Sequence, residues 1–282
     1  MSSTVTTELK HLIQLALPLI ISQLAHAGMG VVDTIMAGRL SALDLASVAM
    51  GGTIFWPSLM LVSGVLMAVV PTVSQMHGAG MAHQAGAIAR QGLWIALLAG
   101  IAMTLFMQNI EPFYWLIGVD QQVVPGAVAY LSAMSWGMPF ILGYFALRYL
   151  CEGMSWTRPA MLVAGLGLLL KVPFNYWFMY GGLGIPAMGG VGCGWSSVVI
   201  MFIELLAIVA IVMNSKMRQT GVFTRFDWPN LSKIAGLVRL GLPIGLAIFV
   251  EFGFFAAVTM MIGRLGAETI AAHQIVFTLS GL

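Results

Sequence analysis

Long apolar runs separated by short polar links dominate the hydrophobic pattern of this chain. A membrane-spanning helix needs about 20 consecutive apolar residues. Seven segments qualify, and they run approximately over 12–37, 46–71, 91–110, 126–147, 160–180, 191–213 and 236–262. An eighth begins near Ile270 and is cut off at Leu282. The pattern predicts an all-α fold, a polytopic transmembrane helical bundle.

The composition agrees with lipid as the solvent. Hydrophobic residues make up 60% of the chain and charged residues only 8%, against roughly 25% charged residues in a soluble domain. Lipid admits only helices and closed barrels, and these continuous, non-alternating runs are not barrel strands. The net charge of +2 does not indicate a nucleic-acid partner. Cys151 and Cys193 lack neighbours for a disulfide, a metal site or a nucleophile, and we interpret them as small buried residues.

The distribution of basic residues predicts an orientation. Lys10 and the second, fourth and sixth links between the apolar segments carry eight of the twelve lysine and arginine residues. Basic residues are enriched on the cytoplasmic side of membrane proteins. We therefore expect a cytoplasmic N-terminus.

An internal repeat relates the two ends of the chain. At a shift of 225 residues, the spacing between Pro18 and Pro243, the segment Thr34–Leu40 aligns with Thr259–Leu265 without a gap. Apolar bias explains matched Leu and Ala residues but not the paired Pro, Thr and Gly-Arg-Leu. Six helices separate the copies, so both cross the membrane in the same direction, as in the parallel repeats of transporters.

The repeat predicts a domain organisation. Residues 1–213 form a first six-helix lobe, 214–235 a cytoplasmic linker and 236–282 the start of a second lobe. The second repeat is truncated in its second helix. A full second lobe would add roughly 170–190 residues, so we expect a fragment or a truncated gene product.

Apart from Arg239 near the start of the seventh segment, four charged residues fall inside the apolar segments, where a charge costs at least ~2.5–3.5 kcal/mol and is a functional hypothesis by default. They are Asp33, Lys171, Glu204 and Glu251. In the first segment, Gln23, His26 and Asp33 follow helical spacing and share one face, which should meet a protein interior or a water-filled cavity. A carboxylate there can bind a proton or a sodium ion, although an acid near the outer headgroups is the alternative.

Lys171 and Asn175 are one helical turn apart in the fifth segment, in the outer half of the membrane like Asp33. We expect the three side chains to share one cavity. Snorkelling of Lys171 to the membrane surface and a plain interhelical hydrogen bond of Asn175 are the alternatives.

Glu251 lies among phenylalanines in the seventh segment, and its repeat partner is His26. An acid amid aromatic rings suits a lipophilic cation, because the rings add area and cation–π attraction. Glu204 follows Ser197 by two helical turns in the sixth segment and is either a helix-packing acid or a minor site.

Several motifs resemble the multidrug and toxic compound extrusion (MATE) family, of its NorM type. They are Leu15-Ala-Leu-Pro-Leu19, Val32-Asp-Thr34, Gly38-Arg-Leu40, Pro173-Phe-Asn-Tyr176 and Leu242-Pro243 through Glu251 to Gly263-Arg-Leu265. The resemblance implies twelve helices and export of cationic, amphipathic drugs in exchange for Na⁺ or H⁺. It matches Asp33 and Asn175 to a first-lobe cation cavity and Glu251 to an acid of a second-lobe cation site. That second site also uses an aspartate in a later helix, which this chain does not contain.

We therefore expect a cation-coupled multidrug antiporter of the bacterial inner membrane, monomeric and without a cofactor beyond the coupling ion. Bound Na⁺ is expected only at Asp33 or Glu251. The other candidate cavity-lining residues are Gln23, His26, Lys171 and Glu204. A flippase for lipids or lipid-linked precursors is the alternative, but it should carry several cations in its cavity. A membrane enzyme would need a clustered catalytic set, and a channel would need a filter-like loop; neither pattern is in the sequence.

Overall fold

The computed structural model describes residues 2–182 and 184–280. Within these ranges the chain is helical, and 3-10 turns at Ala82–Gln84 and Lys216–Thr220 lie in two of the links. The α-helices are α1 (Ser2–Leu40), α2 (Ala42–Leu66), α3 (Val69–Gly78), α4 (Ala85–Gln108), α5 (Glu111–Leu116), α6 (Val124–Ser135), α7 (Met138–Gly153), α8 (Arg158–Tyr180), α9 (Gly190–Met213), α10 (Leu231–Ile262) and α11 (Ala267–Ser280).

The helices that can cross a membrane agree with the predicted segments. Six are long and apolar enough in the described residues, and α6 and α7, bent by 47° at their junction, make a seventh span as a pair. The second span runs through α2 and α3 as Ala42–Gly78. The all-α transmembrane bundle predicted from the sequence is confirmed.

Several helices, among them α3 and α7, extend into segments predicted as polar links. The helix α3 reaches Gly78, and α7 continues to Gly153. Arg148 is only 8% exposed, and its Nε donates to Glu152 Oε1 at 2.6 Å, one helical turn away. Because each charge has a partner on the same helix, α7 does not have to end where the charges begin. The predicted boundaries were therefore too short here.

Arg90 also differs from its predicted place in an exposed link. It lies in α4, 7% exposed, and its Nε donates to Asp227 Oδ2 at 2.7 Å, while its Nη1 donates to the Gly221 carbonyl. These bonds attach the link between α9 and α10 to the bundle. The Arg90 hydrogen bond lowers the pKa of the Asp227 carboxyl, so this contact is present at neutral pH and is lost only as the pH falls through that lowered value.

The helix boundaries recur with the same period as the sequence repeat. Pro18 lies inside α1 and Pro243 inside α10. The next helices begin at Ala42 and Ala267, which are separated by the same 225 residues as the two prolines. The helix break after each copy therefore follows the repeat, while the division into two lobes and a linker stays a prediction.

Glycines let α10 lie directly against α2. A Cβ on Gly245 would meet the backbone carbonyl of Leu61, and one on Gly241 would meet the backbone of Val65. Gly64 on α2 faces Gly245 in the same way. Gly241 and Gly245 are four residues apart, the small-residue spacing that brings membrane helices into close contact. The contact depends on the absence of side chains.

We expect Gly245→Ala to destabilise the protein by about 1–3 kcal/mol, because the added methyl group must push two backbones apart. Gly253→Ala is the matched control, since a Cβ on Gly253 of the same helix meets nothing within 4 Å. Unfolding of both purified variants in detergent measures the difference. Equal stability of the two variants would show that the α2–α10 contact tolerates a side chain.

Candidate cation-binding site

An ion pair between α1 and α8 lies at the centre of the site. Lys171 Nζ is 2.8 Å from Asp33 Oδ1, and the side chains are 2% and 15% exposed. Lys171 is therefore not a snorkelling side chain at the membrane surface. A lysine this far from water keeps its charge only with a counter-ion and further hydrogen bonds.

The remaining hydrogen bonds come from α8 and α9. Asn175 Nδ2 donates to Asp33 Oδ1 at 2.7 Å, and Lys171 Nζ donates to Ser197 Oγ at 2.6 Å. Ser197 in turn donates to the carbonyl of Cys193 at 2.9 Å. The structure therefore brings together Asp33, Asn175 and Lys171, as expected from their depth in the membrane.

Two oxygen atoms of this cluster are available to a cation. Asn175 is fully buried, and its Oδ1 has no hydrogen-bond partner among the described residues. Lys171 and Asn175 both contact Oδ1 of Asp33, and neither of them contacts Oδ2. Carboxylate and amide oxygens are ligands that hard cations prefer. The cluster therefore contains a carboxylate and an amide oxygen of the kinds that bind a proton or a small cation.

A second cluster of polar side chains lies between α1 and α9, which also carry Asp33 and Ser197 of the ion-pair cluster. His26 Nε2 of α1 is 3.7 Å from Glu204 Oε1 of α9, and the ring of His26 lies 6.3 Å from that of Tyr144 on α7. Glu204 is 2% exposed. Sequence reasoning missed Tyr144, whose only signal was its position one turn before Arg148 in an apolar helix.

Two of the predicted residues are not in either group. Gln23 is exposed on α1, and Glu251 is exposed on α10. Among the described residues neither side chain has a hydrogen bond or ion pair. Phe254 and Phe255 beside Glu251 are 71% and 50% exposed. Glu251 therefore remains a separate, aromatic-flanked acid on the outer surface of α10.

The apolar spans and their buried charge cluster define a multi-pass helical membrane protein. A family model described as MatE matches residues 18–177. The chain belongs to the MATE family, as its motifs indicated.

Curated relatives include multidrug resistance protein PmpM of Pseudomonas aeruginosa, which is 39% identical over 280 residues, covering 99% of this chain and 59% of the relative. Multidrug resistance protein NorM of Aliivibrio fischeri is 37% identical over 276 residues, covering 98% of this chain and 60% of the relative. The chain thus spans about three fifths of the length of these relatives.

Solved structures agree with this assignment. The MATE transporter NorM-NG, solved in a complex that includes a monobody, has a TM-score of 0.76 and 30% identity, over 96% of this chain and 59% of that one. The eukaryotic MATE transporter AtDTX14 has a TM-score of 0.85 over 98% of this chain and 61% of that one, but with 18% identity it supports the fold alone. These proteins are transporters, so the expectation that the chain is not an enzyme agrees with its family.

The ion pair predicts that loss of the Asp33 charge destabilises the protein. Asparagine would leave the Lys171 ammonium buried without its counter-ion, which costs up to about 3–5 kcal/mol. The double variant Asp33→Asn/Lys171→Met removes both charges, and we expect it to be more stable than Asp33→Asn alone. Chemical unfolding in detergent measures each free energy.

Arg225→Met is the control for loss of an ion pair in water. Arg225 is largely exposed and lies 3.6 Å from Asp227, so its removal should change stability little. The changes in unfolding free energy of Asp33→Asn and Lys171→Met are compared with that of the double variant. If the two single changes simply add, the side chains do not interact energetically, and this would contradict the ion pair.

Proposed function

We propose that the protein is a cation-coupled multidrug antiporter in which Asp33 exchanges its cation partner during the transport cycle. The observation that carries the proposal is the position of Asp33 Oδ1 between Lys171 Nζ and Asn175 Nδ2 inside an apolar bundle. The names of the relatives, which are multidrug resistance proteins, support drug efflux.

The coupling follows from the charge balance of Lys171. A proton on Asp33 removes the negative charge that holds the buried ammonium. A sodium ion bound by Asp33 and Asn175 oxygens competes with Lys171 for the same carboxylate. In either case the Lys171 ammonium, which is 2% exposed, loses part of the charge that balances it. The energetic cost favours a rearrangement of α1 against α8 and α9. The proposed mechanism therefore operates with either Na⁺ or H⁺ as the coupling ion, and the transport test distinguishes them.

Glu251 supplies a second acid for a cationic substrate. Its carboxylate lies beside exposed phenylalanine side chains of α10. Aromatic faces attract a lipophilic cation, and the carboxylate adds charge complementarity. The cargo would therefore be a small organic cation with apolar rings or chains. The protein would act as a monomer in the bacterial inner membrane with its N-terminus in the cytoplasm.

The geometry of Lys171 argues against the flippase alternative. A carrier for a phosphate-bearing lipid needs cations that are free to bind the phosphate. Lys171 is the cation deep in the predicted spans, and its ammonium is already bound by Asp33 and Ser197. A buried, neutralised lysine is a poor ligand for a phosphate group.

The transport test uses the longest product of the gene that encodes this sequence, in membrane vesicles. We expect Asp33→Asn to lose at least about tenfold in ethidium efflux under whichever gradient, Na⁺ or H⁺, drives the wild type; a tenfold loss corresponds to about 1.4 kcal/mol of coupling. Asp33→Asn/Lys171→Met should regain stability but not efflux. Glu251→Gln should also lose efflux, because the carboxylate for a cationic substrate is gone.

Glu268→Gln is the matched control, since Glu268 is an exposed acid in the first turn of α11. Rates are normalised to the amount of protein in the membrane, and the Na⁺ and pH gradients are imposed separately. Wild-type efflux by Asp33→Asn/Lys171→Met under both gradients would assign the pair a purely structural role and reject the proposed coupling.

A further inference from the structure

Below the Asp33 cluster lie three buried polar atoms that have no hydrogen-bond partner within residues 2–182 and 184–280. They are His26 Nε2, Glu204 Oε1 and the hydroxyl of Tyr144. His26 Nε2 and Glu204 Oε1 lie 3.7 Å apart, and the rings of His26 and Tyr144 are 6.3 Å apart. Buried polar atoms are normally paired, so each such atom needs a physical explanation.

The position of this group is set by helical spacing. His26 precedes Asp33 by seven residues on α1, and Glu204 follows Ser197 by seven residues on α9. Seven residues are two helical turns, about 10 Å. Since α1 and α9 run in opposite directions in the predicted topology, both steps lead toward the N-terminal end of α1. Two polar layers are therefore stacked between the same helices, with Asp33 in one and Glu204 in the other.

Helix α8 makes room for the carboxylate in the second layer. Gly167 lies one turn before Lys171, and a Cβ at Gly167 would come within 2.6 Å of Glu204 Oε1. The carboxylate thus occupies the space that a side chain of α8 would take. In this space over Gly167, which we call the Gly167 cradle, Glu204 lies against His26 and not against a hydrogen-bond donor of α8.

The charges around Glu204 are already paired with other acids. Lys171 contacts Asp33 at 2.8 Å, and Arg148 contacts Glu152 at 2.6 Å. The only side chain in ion-pair reach of Glu204 in the described part of the chain is His26. An ionised carboxylate buried without a partner is strongly unfavourable. One proton shared with His26 removes this cost.

We propose that Glu204 and His26 form a second proton-binding site in the first lobe, which takes up and releases one proton. His26 Nδ1 faces the carbonyl of Ser22 at 2.8 Å, where it can only donate. The other ring nitrogen, Nε2, therefore faces Glu204, and the proton lies between that nitrogen and the carboxylate oxygen. The proton comes from water and returns to it, and no other bond changes.

The surrounding groups limit the site to one proton. Tyr144 of α7 faces the ring of His26. The positive charges of Arg148 on α7 and Lys171 on α8 both act on Glu204. A second proton would leave His26 charged beside a neutral Glu204, and a buried charge without a counter-ion is unfavourable. The pair therefore alternates between a one-proton state and a proton-free state.

The experiment is a titration of the purified wild-type protein in lipid nanodiscs, with ¹⁵N-labelled histidine observed by NMR. We expect the His26 signal, assigned with His26→Gln, to titrate between about pH 5 and pH 9. Glu204→Gln should move its midpoint by about 1–3 pH units, because a charge in contact is removed. Glu268→Gln should leave the midpoint unchanged.

A second measurement on the wild type keeps the proposal testable if Glu204→Gln does not fold. Infrared difference spectra across the same pH range should show a carboxyl change with the midpoint of His26, because interacting groups titrate as a pair. A His26 signal that does not titrate, or one without an infrared carboxyl change at its midpoint, would overturn the proposal. No drug or ion gradient is used, so this result is independent of the transport test.

Discussion

The ammonium of Lys171 is the group on which the packing of α1, α8 and α9 around the site depends. Lys171 is 2% exposed inside an apolar bundle, and a charge there is tolerated only with partners. Asp33 of α1 supplies the counter-ion and Ser197 of α9 supplies a hydrogen bond. Three helices are therefore held in one register by a single buried charge, and any ligand that competes for Asp33 acts on all three.

The same need to pair buried charges explains most of the other polar side chains. Arg148 is paired with Glu152 within α7, and Arg90 binds Asp227 from the link before α10. Glu204 differs because its neighbour, His26, can be neutral or charged. The bundle thus separates structural ion pairs at its ends from titratable acids between α1 and α9. In the proposed mechanism the interior changes charge at these acids while the structural ion pairs stay intact.

The sequence predicted the spans well, because a run of about 20 apolar residues is a strong local signal. The repeat at a shift of 225 residues added where the helix after each copy begins. It also predicted that Asp33, Asn175 and Lys171 share one depth and meet. It did not predict that Arg148 is buried, because a basic residue at the end of an apolar run resembles a link residue unless its partner one turn away is considered. Nor could it pair His26 with Glu204, since that contact depends on the Gly167 cradle and on how α1 packs against α9. Whether these residues carry transport stays a prediction.

The most direct test of the account is the state of Lys171 when a cation binds. The chain contains few lysines, so ¹³C- and ¹⁵N-labelled lysine gives resolvable side-chain signals, with Lys171 assigned by Lys171→Met. We expect the Lys171 side-chain signal to shift on addition of Na⁺ at constant pH or on acidification, and to lose that response in Asp33→Asn. A Lys171 signal that responds to neither cation while the protein stays folded would contradict competition for Asp33 and, with it, the coupling mechanism.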